Sequence, residues 1–583
     1  MFLVSLIVYS FAVFAIRLRV GPTGDEPHYL VVTRSIVYDH DLNLRNNYLD
    51  KHWRAFFGGD LGWEGHAYDY GQSGVLTTIH PIGLPMFAAL PYSVAARLAE
   101  VLSFNSAYAG YLGSVAALVL AASVLSVVTF LFLMELVENM LAAFAAWFVV
   151  FFTNPMLPYS SQLYPEGLAA PVIMVALWLS WRGPRGWFSP AVAAIAVAVL
   201  PWIHFRYAPI VVILFVYLFL QVRRFHPPAV SLVFGINALS AVALALYSLV
   251  SYGSISPTAA YSSWGSPLSL GVLPTGLPGL LLDQSHGLFV YAPIYAIVLA
   301  SWLVLLLTKF SWKQYLLPIS ALLFLAEAVV SAMHPLWAGG WSIPPRFLVP
   351  VVPLAAIPFA ASLEAALGRA IIIRKWRTLY LGAVGILGAA TFVVAACTTA
   401  APDLYFNIIT GKVLVAASRG LGQVTGVRVL LNDYWPMMVS DSPLVYRPTQ
   451  TWGDIKLGSI EKDGSSPLQY SLILDPSRDS AGPLTPETYM SLRSGKYVGR
   501  VYLKIDSAQG DDVVARIYSE IYVEGKPQVV ASREVKRADF GQTNSYQAFE
   551  LEFPYSGLDP VRLQAYYTGK AKMWFGGMVM ERR

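Results

Sequence analysis

Charge is what this 583-residue sequence most lacks: only 13% of its residues are Asp, Glu, Lys or Arg, while 56% are hydrophobic and the mean hydropathy is +0.54. A soluble chain would carry about a quarter charged residues to cover its surface with water-facing groups. Most of this one must therefore face lipid. Cysteine is nearly absent too. The single Cys397 excludes an intrachain disulfide framework and a cysteine-based zinc site. The net charge of +5 is too small for this length to be a nucleic-acid footprint, and the basic residues cluster between apolar runs, where topology signals lie. The opening stretch, from Met1 to about Val20, has no basic n-region and no clear cleavage site, so it is expected to remain as an uncleaved first span.

Runs of roughly 17–25 apolar residues are long enough to cross a bilayer. About eleven such runs are present, near 1–17, 106–134, 140–157, 165–181, 187–203, 206–222, 228–251, 287–308, 314–333, 346–364 and 378–399. Their connections test this reading. With the N-terminus in the cytoplasm, the inner loops hold Arg182 and Arg185, then Arg223 and Arg224, then Lys309 and Lys313, then Arg369, Arg374, Lys375 and Arg377. That is the positive-inside pattern, and only the Glu135–Met140 connection lacks a basic residue. The segment 18–105, the segment 252–286, the loops near 158–164, 203–206 and 334–345, and everything after about 400 then share the outer side of a plasma membrane. The stretch 80–100 is apolar but broken by prolines, and is expected to be interfacial or re-entrant.

After residue 400 prolines, glycines and charges return, and short alternating runs follow at 497–506, 513–523, 548–555 and 561–567. Alternation of period two between turn residues is the pattern of an antiparallel β-sandwich. The expected architecture is a polytopic α-helical membrane bundle over 1–400, a linker over 401–430, and an extracytoplasmic, jelly-roll-like all-β sandwich over 431–583.

Polar residues beside the spans are the candidates for chemistry. Asp25 and Glu26 follow the first span, ahead of an expected amphipathic interfacial helix, Pro27–Tyr38. Asp25 could cap that helix; the acidic pair could equally be a general base or a metal-binding pair. Tyr164-Pro165-Glu166, the run from Trp202 through His204 and Arg206 to Tyr207, Asp283 to Gly287, and the stretch 334–347 gather aromatic and polar groups on the outer side. Arg206 and Arg346 stand where positive charge is disfavoured, so they either snorkel to headgroups or clamp a phosphate. Glu327 lies inside a span and needs a partner. His28, His80, His204, His286 and His334 all fall on the outer side, where they could build a metal or acid–base site.

Taken in order, Gly24-Asp25-Glu26-Pro27-His28-Tyr29, the HPIGLP segment at 80–85, Tyr164-Pro165-Glu166, and Gly339-Gly340-Trp341 with Pro345-Arg346-Phe347 resemble the GT-C superfamily of integral-membrane glycosyltransferases, in the branch of protein O-mannosyltransferases and the aminoarabinose transferase of lipid A. The resemblance covers roughly residues 1–400. It implies inverting transfer of a sugar from a polyprenyl-phosphate donor to a glycan, lipid or protein acceptor, with Asp25 as general base and Glu26 as its stand-in or metal partner. His28, Tyr29, His80, Glu166, His204, Arg206, Asp283, Trp341 and Arg346 are the candidate substrate-binding residues. The cofactor is left open, a divalent metal among the options. The β-sandwich is similar in architecture to carbohydrate-binding modules fused to bacterial arabinosyltransferases.

Two other classes compete. A flippase or transporter of lipid-linked glycans would use the same arginines without a dedicated base and with an internal repeat; no convincing repeat of the spans is present. A non-catalytic envelope scaffold would leave Asp25 freely replaceable. The shared sidedness is the testable core of this reading. Topology reporters near residue 60 and after residue 583 are expected to read outside, and those near 184 and 372 inside; a cytoplasmic C-terminus would contradict it.

Overall fold

A computed structural model gives the fold. It describes residues 1–583 apart from 18, 60, 64, 72–73, 184–185, 265–267, 308–315, 341, 369–373, 403–412, 414–443, 447–456, 486–494, 524–525 and 557–560. Trp341, Arg185, Lys309, Lys313, Arg369 and, but for residues 401, 402 and 413, the expected 401–430 linker lie outside the described residues. The chain divides into a helical unit, Met1–Leu282 with His286–Ile408, and a β unit, Ile409–Arg583 with Asp283–Ser285.

The helical unit opens with α1 (Phe2–Arg17) and α2 (Glu26–Arg34), followed by a two-strand ribbon of β1 (Ala67–Tyr68) and β2 (Thr77–Thr78). Next come α3 (Gly83–Val101), α4 (Ser106–Leu136), α5 (Met140–Phe151), α6 (Pro165–Trp181), α7 (Phe188–Ile203), α8 (Ala208–Phe225) and α9 (Val230–Tyr252). The last five are α10 (Leu273–Leu282), α11 (Tyr295–Leu307), α12 (Leu316–Ala332), α13 (Ala356–Leu367) and α14 (Arg374–Ala400). Local chemistry sets several starts. The Asn105 side chain accepts the Tyr108 N–H and begins α4, and Asn139 accepts the Leu141 and Ala142 N–H groups to begin α5.

Among the described residues, four helical stretches are long and apolar enough to cross a membrane: Ser106–Leu136, Phe205–Phe225, Pro227–Ser262 and Lys375–Ala400. Eight further apolar helices run 10–17 residues. Every expected run overlaps one of these helices, and the count of about eleven spans is a proposal that depends on the shorter ones. One short apolar helix, α10, lies in a segment expected to be loop. The outward side of α9 is apolar, with Phe234, Leu239, Val242 and Leu246 exposed, which is stable against lipid and costly against water.

One local expectation is corrected. The helix after Asp25 is not amphipathic: residues Glu26–Thr33 are all buried, and the chain passes into a π turn at Ser35–Asp39. Its polar positions find partners inside the protein instead of water. The proline-broken stretch at 80–100 forms a continuous helix, α3, with Pro91 inside it. Helix α4 closes on that proline because Gly110 and Gly113 have no side chains; a Cβ on Gly113 would meet the Pro91 carbonyl oxygen at 2.5 Å.

The β unit consists of two antiparallel sheets. The larger has the order β10 (Gln547–Tyr555), β7 (Gly495–Ile505), β12 (Met573–Arg582), β5 (Tyr470–Leu474), β4 (Ser459–Lys462), with β3 (Leu444–Tyr446) also on β12. The smaller runs β6 (Gly482–Pro483), β11 (Val561–Tyr567), β8 (Val513–Val523), β9 (Lys526–Lys536). Alternate residues of both sheets, Val501, Leu503 and Phe575 from one and Ile517 and Leu563 from the other, meet in one core.

Candidate active site

A cavity of about 420 Å³ lies in the helical unit where the segment between α1 and α3 meets the end of α7, the start of α8 and the end of α12. Much of its wall is apolar, including Ile79, Phe205, Pro209, Val330, Leu336 and Phe347. Its charged or titratable lining is Asp25, Arg206, Arg346, His66, His80, His204 and His334, with Tyr29 and Tyr261 beside them. Two guanidinium groups thus share an enclosure with one carboxylate.

The arginines are held from behind. Glu166 sits in the first turn of α6, after Pro165, where unpaired backbone N–H groups favour a carboxylate. Its Oε1 accepts from Nε of Arg346 at 2.8 Å and lies 3.0 Å from Nη2 of Arg206. Glu327 on α12 pairs with Nε of Arg206 at 3.2 Å, which gives the intraspan acid its partner. Arg206 comes from a short 3₁₀ turn whose entry is fixed by His204, with Nδ1 accepting the Arg206 N–H at 3.2 Å. Arg346 comes from the loop after α12. That loop turns at Gly339, whose φ of +88° suits glycine and whose carbonyl accepts from Nη1 of Arg346. The Phe347 ring lies between the two guanidinium groups, 4.6 Å from that of Arg206 and 5.3 Å from that of Arg346, and the Tyr164 ring covers the latter at 4.0 Å.

Asp25 faces this pair. It precedes α2 but makes no side-chain capping bond; instead its Oδ2 pairs with Nη2 of Arg346 at 2.9 Å. Burial would raise its carboxyl, but the Arg346 guanidinium overrides this and holds it well below the ordinary carboxylate range. The histidines that flank it are neutral. Burial lowers His66, and brings His80 down to about 3, against the pull of Asp25 in the other direction. Their ring nitrogens, Nδ1 of His66 and Nε2 of His80, are 3.0 Å apart. Asp25, His66 and His80 offer ligand atoms that all lie within 4.8 Å of one another.

The acidic pair expected from the sequence is split by the fold. Glu26 is buried away from the cavity, with both oxygens on Arg17, at 2.8 and 2.5 Å, and with the N–H groups of Thr23 and Leu163 as further donors. It ties the first loop to the end of α1 and to the loop before α6. His28 also stands behind the cavity, stacked on His66 at 3.6 Å and bonded through Nδ1 to the Tyr48 hydroxyl at 2.6 Å. Asp283 is buried, accepts the Ser285 N–H at 2.8 Å, and does not line the cavity; nor does His286. Tyr29, His80, His204, Arg206 and Arg346 do line it, with Glu166 directly behind. Sequence reasoning passes over Arg17 and His66. Arg17 carries the signal applied to Arg206 and Arg346, a positive charge at the expected outer end of an apolar run. His66 carries none beyond its place in the segment between the first two apolar runs.

No family model and no curated protein matches this chain. Among solved structures, the crystal structure of ArnT from Cupriavidus metallidurans bound to undecaprenyl phosphate is similar over 69% of this chain and 71% of that one, at 13% sequence identity and a TM-score of 0.40. A likeness that distant transfers no residue role.

The division of labour between the adjacent acids is measurable as stability. Glu26→Gln removes the charge that Arg17 needs in a fully buried pair, and such losses cost about 3–5 kcal/mol. Asp25→Asn leaves Arg346 with Glu166, so it is expected to cost clearly less stability than Glu26→Gln. Thermal unfolding of the two variants in detergent checks this; equal losses would contradict the separation.

Proposed function

We propose that the chain is a GT-C-type membrane glycosyltransferase. It moves a sugar from a polyprenyl-phosphate-linked donor to a glycan, lipid or protein acceptor of the cell envelope, at the outer face of the plasma membrane and with inversion. The observation that carries this reading is the cavity wall itself: Arg206 and Arg346, locked by Glu166, share a mostly apolar enclosure with the single carboxylate Asp25. A planar guanidinium pair suits a phosphate or pyrophosphate, and apolar walls suit a lipid-linked ligand. A donor activated in this way needs no nucleotide at the outer face.

The geometry suggests how the groups act in turn. Donor phosphate competes with Asp25 for Nη2 of Arg346. Losing that contact returns the Asp25 carboxyl toward the ordinary range and makes it a stronger base. Asp25 then takes the proton of the acceptor hydroxyl as that oxygen attacks the anomeric carbon. The bond from this carbon to the phosphate oxygen breaks, and its electron pair leaves with the phosphate. Arg206 and Arg346 stabilise the charge that grows there. Glu166 and Glu327 are positioning residues that hold the two forks in place.

The β unit is proposed as the carbohydrate-binding part. Lys504 lies over the Tyr546 and Trp574 rings at 4.7 and 4.9 Å, and Asp463 accepts from Lys504 and from the Tyr546 hydroxyl, both at 3.0 Å. Aromatic faces beside a fixed polar pair are a surface that suits a sugar ring.

The experiment is transfer by Asp25→Asn protein, whose amide cannot accept a proton. Loss of general-base help is expected to slow transfer by about 10²–10⁴-fold while donor binding is kept. A well-folded Asp25→Asn protein that transfers sugar at the normal rate would end the base assignment and favour a transporter of lipid-linked glycans.

A further inference from the structure

The feature the transfer reading leaves unused is the meeting of two imidazoles beside Asp25. The fold builds that meeting with some care. In the ribbon, Ala67 pairs with Thr78 and Tyr68 with Thr77, and the Ile79 N–H donates to the His66 carbonyl at 3.0 Å. This register brings His66 and His80 face to face at the open end of the ribbon. The stack with His28 fixes the plane of the His66 ring, and the Tyr29 ring braces His80 at 4.8 Å between centroids. Asp25, one residue before α2, completes the group from a separate element.

We propose that Asp25, His66 and His80 form a binding site for a divalent transition-metal cation of the zinc type, with a coordination position open to the cavity. Two observations support this. The donor atoms are grouped within 4.8 Å, and the two ring nitrogens are 3.0 Å apart. Bonds of about 2.0–2.2 Å to a tetrahedral ion place neighbouring ligand atoms about 3.3 Å apart. All three line the cavity, so an ion held by them keeps a face toward whatever the cavity holds.

The ligand set also chooses the metal. Two imidazoles and one carboxylate suit zinc and its transition-metal neighbours, whereas magnesium and calcium demand mostly oxygen. The rival account is a plain hydrogen bond, in which one ring N–H donates to the lone pair of the other across 3.0 Å. A cation would replace that shared hydrogen. Arg346 already takes Oδ2 of Asp25, but a carboxylate has lone pairs for a second partner. Binding of the cation stands on this geometry alone; only its use in sugar transfer, as a further positive charge facing the donor phosphate, rests on the reading given above.

The test is titration of the chelator-stripped, detergent-purified full chain with Co²⁺, a visible-absorbing stand-in for Zn²⁺. One equivalent is expected to bind with the intense visible bands of a low-symmetry ion, and Zn²⁺ is expected to displace it. His66→Gln and His80→Gln are each expected to weaken binding by at least about tenfold, and His52→Gln, elsewhere in the first outer segment, to leave it unchanged. The site is overturned if the wild-type chain binds no cobalt, a result that needs no variant to fold. It is also overturned if folded His66→Gln and His80→Gln both bind as the wild type does. Because the readout is metal binding, a chain that takes up cobalt but transfers no sugar keeps the site and loses the transferase reading, and a chain that transfers sugar but binds no cobalt does the reverse.

Discussion

One carboxylate oxygen, Oε1 of Glu166, holds the site together. It lies 2.8 Å from Nε of Arg346 and 3.0 Å from Nη2 of Arg206, bridging two like charges that would otherwise repel one another in a buried place. Two arginines meet three carboxyl groups here, those of Asp25, Glu166 and Glu327. Buried ion pairs seldom raise net stability, because desolvation offsets most of their attraction. What the bridge secures is orientation. Each arginine keeps one side against an acid and presents another to the cavity, and the Phe347 and Tyr164 rings limit how either plane can turn.

Asp25 is the accessible member of this arrangement. Glu166 and Glu327 are buried behind the arginines, whereas the Asp25 side chain is 26% exposed and faces the enclosure. In the proposed mechanism a ligand anion that reaches Arg346 would displace Asp25 and leave the two glutamates in place. That would link binding to reactivity, with the carboxylate kept weakly basic until an anion takes its partner. The same exchange would free Asp25 toward His66 and His80, so the cation site and the arginine clamp communicate through one side chain.

The sequence reveals the charged network better than it reveals the histidines. Arg206, Arg346, Glu166 and Glu327 can be read because hydropathy makes each an anomaly, a charge where lipid or sidedness forbids one. Asp25 and Glu26 look alike in sequence, and only tertiary structure separates them. The turn at Thr23–Glu26 directs Glu26 back to Arg17 and the N–H groups of Thr23 and Leu163, and so leaves Asp25 to the cavity. His66 is illegible for another reason. It depends on two-residue strands at 67–68 and 77–78, which are too short for any alternating pattern to register. In the β unit, β7 and β10 show in the alternation of buried positions, while the edge strand β9, exposed along most of its length, and β12, interrupted by Gly576 and Gly577 at a bulge, do not.

That two buried arginines form an anion clamp for a lipid phosphate is the central claim, and binding tests it most directly. Native mass spectrometry of the detergent-purified chain with polyprenyl phosphate and with the matching polyprenol separates recognition of the headgroup from recognition of the tail. The account predicts retention of the phosphate form by the wild-type chain, little retention of the alcohol, and loss of that difference in Arg346→Gln. Equal retention of the two lipids, or a preference for phosphate that survives both Arg346→Gln and Arg206→Gln, would contradict it.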